Sequence, residues 1–475
     1  MKDQATFRTG WLKYGLLIAL VACGVAGGIY LSGEWTEGRS VTPVESGNDG
    51  GPTVAMPSYT RRFALTARDA KDTMEAPELA ADSAGRVFLT WASKTGEAER
   101  TVFLTRTTDA CRTFEAPKAF SKGGVFRTKS KGKRGGYERR ATPHLAVVKE
   151  KLHLGWSEAS TDGSQMRFLL ATSTDAGATF DPAHPVHKGA EANPTFTALG
   201  VGPGGEVACA WLGGPAGQQP FAAVRRAGAS TFEEERLIHP GQDGKGVCPC
   251  CPMAACFAPD RTVYVAFRNI AEGYRDIAIG VLRPGQTKFE GPFPVVPPRW
   301  KFDGCPHDGP SLAVLGEHLH VVWMDARSGS PRCYHARAKL ADMAFTSEEL
   351  HAIPVGTQGN AKLLVDAAGR LHVVWEESTT APSAANAGKH QHKAPTPTPG
   401  SGGRAIQYAV LGPDGRFGSP QAVAQRLGAF QTRPAITVTS AGRVIVAWNE
   451  LDEKGKAIVV SPVPSGELVA QGGRP

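Results

Sequence analysis

Short apolar runs, each followed by a turn carrying Gly or Asp and then by alternating β-formers that close on an aromatic residue, recur seven times between Leu79 and Trp448. The phrases are PELAADSAGRVFLTW (77–91), PHLAVVKEKLHLGW (143–156), FTALGVGPGGEVACAW (196–211), PMAACFAPDRTVYVAF (252–267), PSLAVLGEHLHVVW (310–323), AKLLVDAAGRLHVVW (361–375) and PAITVTSAGRVIVAW (434–448). Their closing aromatics, Trp91, Trp156, Trp211, Phe267, Trp323, Trp375 and Trp448, stand 52–73 residues apart, a period that marks a repeat architecture. Alternation with period two, broken by turn residues, predicts a β-hairpin with one buried face. Further strand-like segments follow each hairpin, as in MRFLLATSTDAGATFDPAHPV (166–186), and bring each unit to four strands. The expected fold class is therefore all-β: a β-propeller of four-stranded blades, seven by the count of phrases and six if one repeat is irregular. The last phrase is followed only by AIVVSPV (457–463), so its blade is expected to take an N-terminal strand near RRFALTA (61–67).

The first residues break the pattern. Lys2, Arg8 and Lys13 precede the apolar run GLLIALVACGVAGGIYL (15–31), the form of a basic n-region and apolar core. Leu20-Val21-Ala22-Cys23 resembles a bacterial lipobox, in which Cys23 is lipidated; continued apolarity through Leu31 instead suits an uncleaved signal anchor. Both readings export the protein and leave it membrane-anchored, in the periplasm or at the cell surface. The expected organisation is a targeting segment (1–31), a polar tether (32–58), the propeller (59–465) and a tail (466–475).

The 56 Gly and 35 Pro suit a turn-rich exported β-protein. Of the formal net charge of +8, the insertion 122–140 alone carries +7, from eight Lys or Arg and one Glu. The excess is therefore local. It points to solvation or to an anionic glycan, headgroup or acidic partner, and outside the cytoplasm it excludes nucleic acid. A second insertion, 379–403, is rich in Pro, Ala and Gly and reads as disordered; its His390 and His392 make a weak metal site.

Ser173-Thr174-Asp175-Ala176-Gly177-Ala178-Thr179-Phe180 matches the Asp-box S-x-D-x-G-x-T-W/F, and residues 107–114 match it with Cys111 in the Gly position. Worn copies occur at 226–232 and 283–289. On these motifs the chain resembles sialidase-superfamily (BNR/Asp-box) propellers over residues 60–463. The Asp caps backbone N–H groups of a tight turn, so the motif specifies a fold and not a reaction. The resemblance implies an arginine clamp for a carboxylate, a Tyr–Glu nucleophile pair and a further acidic residue. The entry to the first repeat, Met74-Glu75-Ala76-Pro77, lacks the Arg of the family's R-I-P motif, which argues against a conventional sialidase.

The entry to repeat four reads Val247-Cys248-Pro249-Cys250-Cys251-Pro252, and that to repeat five contains Gly304-Cys305-Pro306-His307-Asp308-Gly309-Pro310. These motifs resemble those of a group of bacterial sialidase-like propellers of unsettled function. In a propeller, such entry loops share a face with the loops joining second to third strands, here Arg268-Asn269 with Tyr274-Arg275-Asp276, and Asp325-Ala326-Arg327 with Arg332. Cys, Arg and Asp are thus expected around one mouth of the channel, opposite the Asp-boxes. Two readings of the cysteines stay open: a disulfide from Cys305 to the Cys248/Cys250/Cys251 group, or a copper or zinc site made of these four and His307. Cys209 and Cys256 read as core residues; Cys111 and Cys333 are left open.

The charged residues likewise divide between blade-to-blade ion pairs and an anion pocket of Arg268, Asn269, Arg275, Asp308, Asp325 and Arg327. Tyr274, Asp276 and Glu376 are the candidate catalytic groups, with Glu377 and Tyr408 nearby. The leading expectation is recognition of a glycan or other anionic small ligand at this mouth. The alternatives are exo-sialidase-like hydrolysis, or a copper- or zinc-binding or redox-linked scaffold with an envelope protein partner.

Overall fold

The computed structural model describes residues 60–64 and 77–464, apart from 96–98, 110, 125–141, 161–164, 190–192, 215–217, 298, 380–402, 425, 427 and 453–454. The expected targeting segment with Cys23, the expected tether, most of both insertions and the tail lie outside the described residues.

The described strands pair as seven consecutive four-stranded antiparallel units, each the blade of a β-propeller. The first unit is typical, running through Glu78–Ala81, Val87–Lys94, Glu99–Thr107 and Lys118–Gly124. The innermost strands Glu78–Ala81, His144–Val148, Thr195–Val201, Ala254–Phe257, Ser311–Leu315, Thr357–Val365 and Phe430–Val438 each contact the next, and the last returns to the first. Closure comes from the N-terminal strand Arg61–Ala64, which pairs antiparallel with Gly455–Pro462 and supplies the seventh unit's fourth strand. Arg62 pins this joint by donating to Glu450 at 2.7 Å and Asp452 at 2.8 Å.

Alternation explains the packing. The closing aromatics sit in second strands, and Trp91, Trp211, Trp323, Trp375 and Trp448 are fully buried between neighbouring sheets. In four units the indole N–H donates to a carboxylate two residues on: Trp156 to Glu158, Trp323 to Asp325, Trp375 to Glu377 and Trp448 to Glu450. Such an acceptor satisfies a buried indole donor; the Trp91 and Trp211 N–H groups have none among the described residues.

The Asp-box turns lie between third and fourth strands. Asp175 accepts from the Thr179 N–H at 2.9 Å and from Ser173 Oγ at 2.8 Å; Asp109 accepts from the Thr113 N–H at 2.9 Å and from Thr107 Oγ1 at 2.7 Å. Cys111, at φ 72°, adopts the left-handed conformation that Gly177 adopts at φ 79°. Its sulfur is buried in the core, which answers why a cysteine stands where the motif has glycine.

Candidate functional site

Antiparallel alternation puts the loops entering each first strand and those joining second to third strands on one face, opposite the Asp-boxes. The loop 248–252 is held there at both ends. Val247 N–H donates to Gln218 O at 2.8 Å, Cys248 N–H to Arg268 O at 3.0 Å and Met253 N–H to Phe196 O at 3.3 Å. Pro249 and Pro252 restrict the chain between these anchors and ask for no N–H partner of their own. Three thiols are turned inward as a result: Cys248 Sγ lies 3.4 Å from Cys250 Sγ and 3.8 Å from Cys251 Sγ. All three sulfurs lie within 4.8 Å of one another, and the residues are 1%, 4% and 2% exposed.

The fifth unit's entry loop packs against this cluster. Gly309 makes the approach possible, since a Cβ there would lie 2.2 Å from the Pro252 carbonyl oxygen. Cys305, half-buried, hydrogen-bonds to Cys250. Arg275 donates from Nη1 to Cys248 Sγ at 3.2 Å and from Nε to Phe302 O at 2.7 Å. Arg268 is a bracket between blades: it donates to the carbonyls of Arg275 at 2.8 Å, Asp308 at 3.0 Å and Met324 at 2.8 Å, and its guanidinium covers the Trp300 ring. Hydrogen bonds from Cys250 and Cys251, aided by Arg268 and Arg275, pull the Cys248 thiol down toward thiolate. Hydrogen bonding to Cys248 pushes Cys250 up, and burial pushes Cys251 up.

No disulfide joins Cys248, Cys250, Cys251 and Cys305 here; the 3.4 Å between Cys248 Sγ and Cys250 Sγ is a hydrogen-bond distance, longer than an S–S bond of about 2.05 Å. Of the expected metal set, three residues converge. His307, at φ 57°, is not among the convergent ligand atoms, which come from Cys248, Cys250 and Cys251 alone among the described residues. Cys209 and Cys256 lie on strands as expected, and Cys333 is buried in another.

The anion clamp fares differently. Arg268 is 1% exposed and spends both terminal nitrogens on carbonyls. Arg327 is gripped by Asp325 and stacks on Tyr334, 4.3 Å from its centroid, while Asp325 also takes the Trp323 indole N–H. Arg332 donates to Gly356 O at 2.6 Å and Ile353 O at 3.3 Å. Arg268 ties the fourth unit to the fifth and Arg332 reaches the entry to the sixth, whereas Arg327 and its acceptor stand in one loop. Asn269 closes the fourth unit's loop, its N–H on Asp276 O at 2.9 Å.

The candidate catalytic groups are divided between units. Tyr274 lies in the fourth unit's loop, bridged to Lys301, whose ammonium sits over the ring. Asp276 caps the backbone N–H groups of Arg299 and Trp300, with its carboxyl raised by burial. Glu376, in the sixth unit, is paired with Arg404 and accepts the Arg433 N–H at 3.0 Å. Asp308 repeats that device one blade earlier, accepting the Asn360 N–H at 2.6 Å; burial lifts its carboxyl to about 6. Asn360 and Arg433 both have positive φ at a bulge in an innermost strand, which turns their N–H groups toward the preceding blade.

No family model matches the chain, and no curated protein does. Among solved structures, the chain is similar to a protein of unknown function from Dyadobacter fermentans, at 12% identity over 86% of this chain and 100% of that one, with a TM-score of 0.46. It is also similar to an intramolecular trans-sialidase from Ruminococcus gnavus (9% identity, 84% and 96% covered, TM-score 0.43). An α-L-arabinanase from Penicillium chrysogenum matches at 13% identity, 82% and 92% covered, TM-score 0.41. These likenesses concern the backbone alone; the propeller assignment rests on the strand order and the closed ring.

Proposed function

We propose that this sialidase-like propeller is a membrane-tethered, extracytoplasmic scaffold that binds one thiophilic metal ion, copper or zinc, at the mouth of its channel. The observation that carries the reading is the convergence of three buried thiols from a four-residue stretch, with two guanidinium groups beside them. Soft thiolates select such ions, and the adjacent positive charge lowers the cost of ionising buried sulfur. In an oxidising compartment a bound ion also shields these thiols from oxidation. The test is titration of the reduced protein with cuprous or zinc ion, followed by thiol reactivity and, for cuprous copper, thiolate-to-metal absorption. Saturation at one equivalent, lost in Cys251→Ser, supports the reading; absence of saturation with either ion defeats it.

The tether belongs to the same proposal and rests on the run 15–31. Cys23→Ser abolishes lipid labelling if the lipobox is used, whereas unlabelled wild type that still partitions to membranes indicates the signal anchor. A cytoplasmic, soluble protein contradicts both.

A second reading, recognition of a glycan, keeps one observation in its favour. Asp308 and Glu376 flank Gly359, whose Cβ would lie 2.8 Å from Asp308 Oδ2 and 3.5 Å from Glu376 Oε1. Asp308 Oδ1 is buried with no hydrogen-bond partner among the described residues. Paired carboxylates accept sugar hydroxyls, so glycan-array binding lost in Asp308→Asn supports this reading.

A further inference from the structure

We propose that the three-thiol site is built for a monovalent soft ion, cuprous copper, and that Cys305 is the thiol through which the ion is exchanged. This rests on the reading of Cys248, Cys250 and Cys251 as a metal site. Three independent features of that site point the same way.

The first is ligand number. The convergent set holds three sulfurs and, among the described residues, no imidazole or carboxylate. A structural zinc ion takes four ligands in a tetrahedron, and this array leaves it one short; thiolate sets are the ones cuprous copper prefers.

The second is charge. Three thiolates carry three formal negative charges, and Arg268 and Arg275 return two positive ones at the same spot. One negative charge is left over, because the Asp308 and Asp325 carboxylates that also face Arg268 are opposed by Lys362 and Arg327. A monovalent cation cancels it, whereas a divalent cation leaves net positive charge where the ligands are 1–4% exposed and an unbalanced charge is costly. Phe196 and Ile270 pack around the sulfurs and add to that cost.

The third is the placement of Cys305. It comes from the next blade's entry loop, hydrogen-bonds to Cys250 and yet stands outside the convergent trio. Of the four thiols it alone is half-buried. An ion held by the trio reaches an incoming acceptor through it. The bond from copper to Cys250 breaks as a bond to Cys305 forms, and the Cys305 proton passes to the released Cys250 sulfur along their hydrogen bond. Copper stays monovalent throughout, so no oxidant or reductant enters the step.

The experiment uses the full-length reduced protein under anaerobic conditions, with cuprous ion delivered from a competing chelator. Wild type and Cys305→Ser are expected to bind one cuprous ion with the same affinity, and neither to retain zinc through gel filtration. Cys251→Ser loses binding. Transfer of the bound ion to a water-soluble bathocuproine chelator slows several-fold in Cys305→Ser and in Cys305→Ala. The second variant keeps the proposal testable should Cys251→Ser fail to fold. If Cys305→Ser, whose hydroxyl can keep the hydrogen bond to Cys250, weakens cuprous affinity by ~10–100-fold, the Cys305 sulfur is itself a ligand and the inference is overturned. Unchanged transfer rates, or retention of zinc, overturn it as well. In each of those outcomes wild type still binds metal and the broader reading stands; binding of neither ion defeats both.

Discussion

The guanidinium of Arg275 lies 3.2 Å from the sulfur of Cys248 and is held there by the Phe302 carbonyl at 2.7 Å. One residue thus joins the cysteine loop of the fourth unit to the loop that brings Cys305. Arg275→Met is expected to weaken metal binding by ~10–100-fold, the usual effect of removing a group that supports a ligand. Arg275→Lys keeps the charge but not the planar fork, so it should fall between. Competition with a calibrated cuprous chelator measures both; wild-type affinity in Arg275→Met would show that the charge plays no part.

Ring closure predicts a stability effect far from this mouth. Phe63 on the N-terminal strand is 1% exposed and lies 5.6 Å from the Trp91 ring and 5.2 Å from the Phe114 ring. Phe63→Ala should cost about 3–5 kcal/mol in denaturant unfolding. A change near zero would mean that the strand Arg61–Ala64 does not close the ring in solution.

Asp308 should make stability depend on pH. Its carboxyl titrates near 3.8 when unperturbed and at about 6 in the folded protein, because burial disfavours the charged form. The folded state therefore binds this proton more tightly. The stabilisation is complete below the unfolded value and is lost as pH rises through about 6, an effect of about 3 kcal/mol. Asp308→Asn, whose amide oxygen can still accept the Asn360 N–H, should lose less stability than wild type between pH 4 and pH 7. Parallel unfolding curves for the two proteins across that range would refute the assignment.

Much of this was legible in the sequence, for physical reasons. Hairpin alternation exposes its period directly, and the seven closing aromatics at 52–73 residue spacing mark the blades. The unfinished last phrase pointed to the strand that closes the ring. Less legible were the polar ties between blades, because they depend on register. Gln358 bonds both to Glu377 at 2.9 Å and to the Cys333 N–H at 3.1 Å; Gln431 repeats this with Glu450 at 3.0 Å and the Ile406 N–H at 3.2 Å. A signal existed, since Trp323, Trp375 and Trp448 are each followed two residues later by an acid. It identifies Asp325 and Glu377 as indole acceptors. The state of the cysteines was not legible at all, because spacing alone does not distinguish thiols from a disulfide.

The commitment of Arg268, Arg327 and Arg332 to protein acceptors bears on hydrolysis. A carboxylate clamp needs free guanidinium groups. The purified propeller is therefore expected to release no sialic acid from a fluorogenic sialoside. Clear turnover that falls by orders of magnitude in Arg327→Ala would contradict this.

Metal analysis of the full-length protein, isolated without chelators from the cell envelope under anaerobic conditions, reads the occupancy of the three-thiol site. About one equivalent of copper is expected, or of zinc under the broader reading, with protected thiols at Cys248, Cys250 and Cys251 and no metal retained in Cys251→Ser. Metal-free protein in which those three thiols react freely, or are found oxidised to a disulfide, would contradict the metal reading.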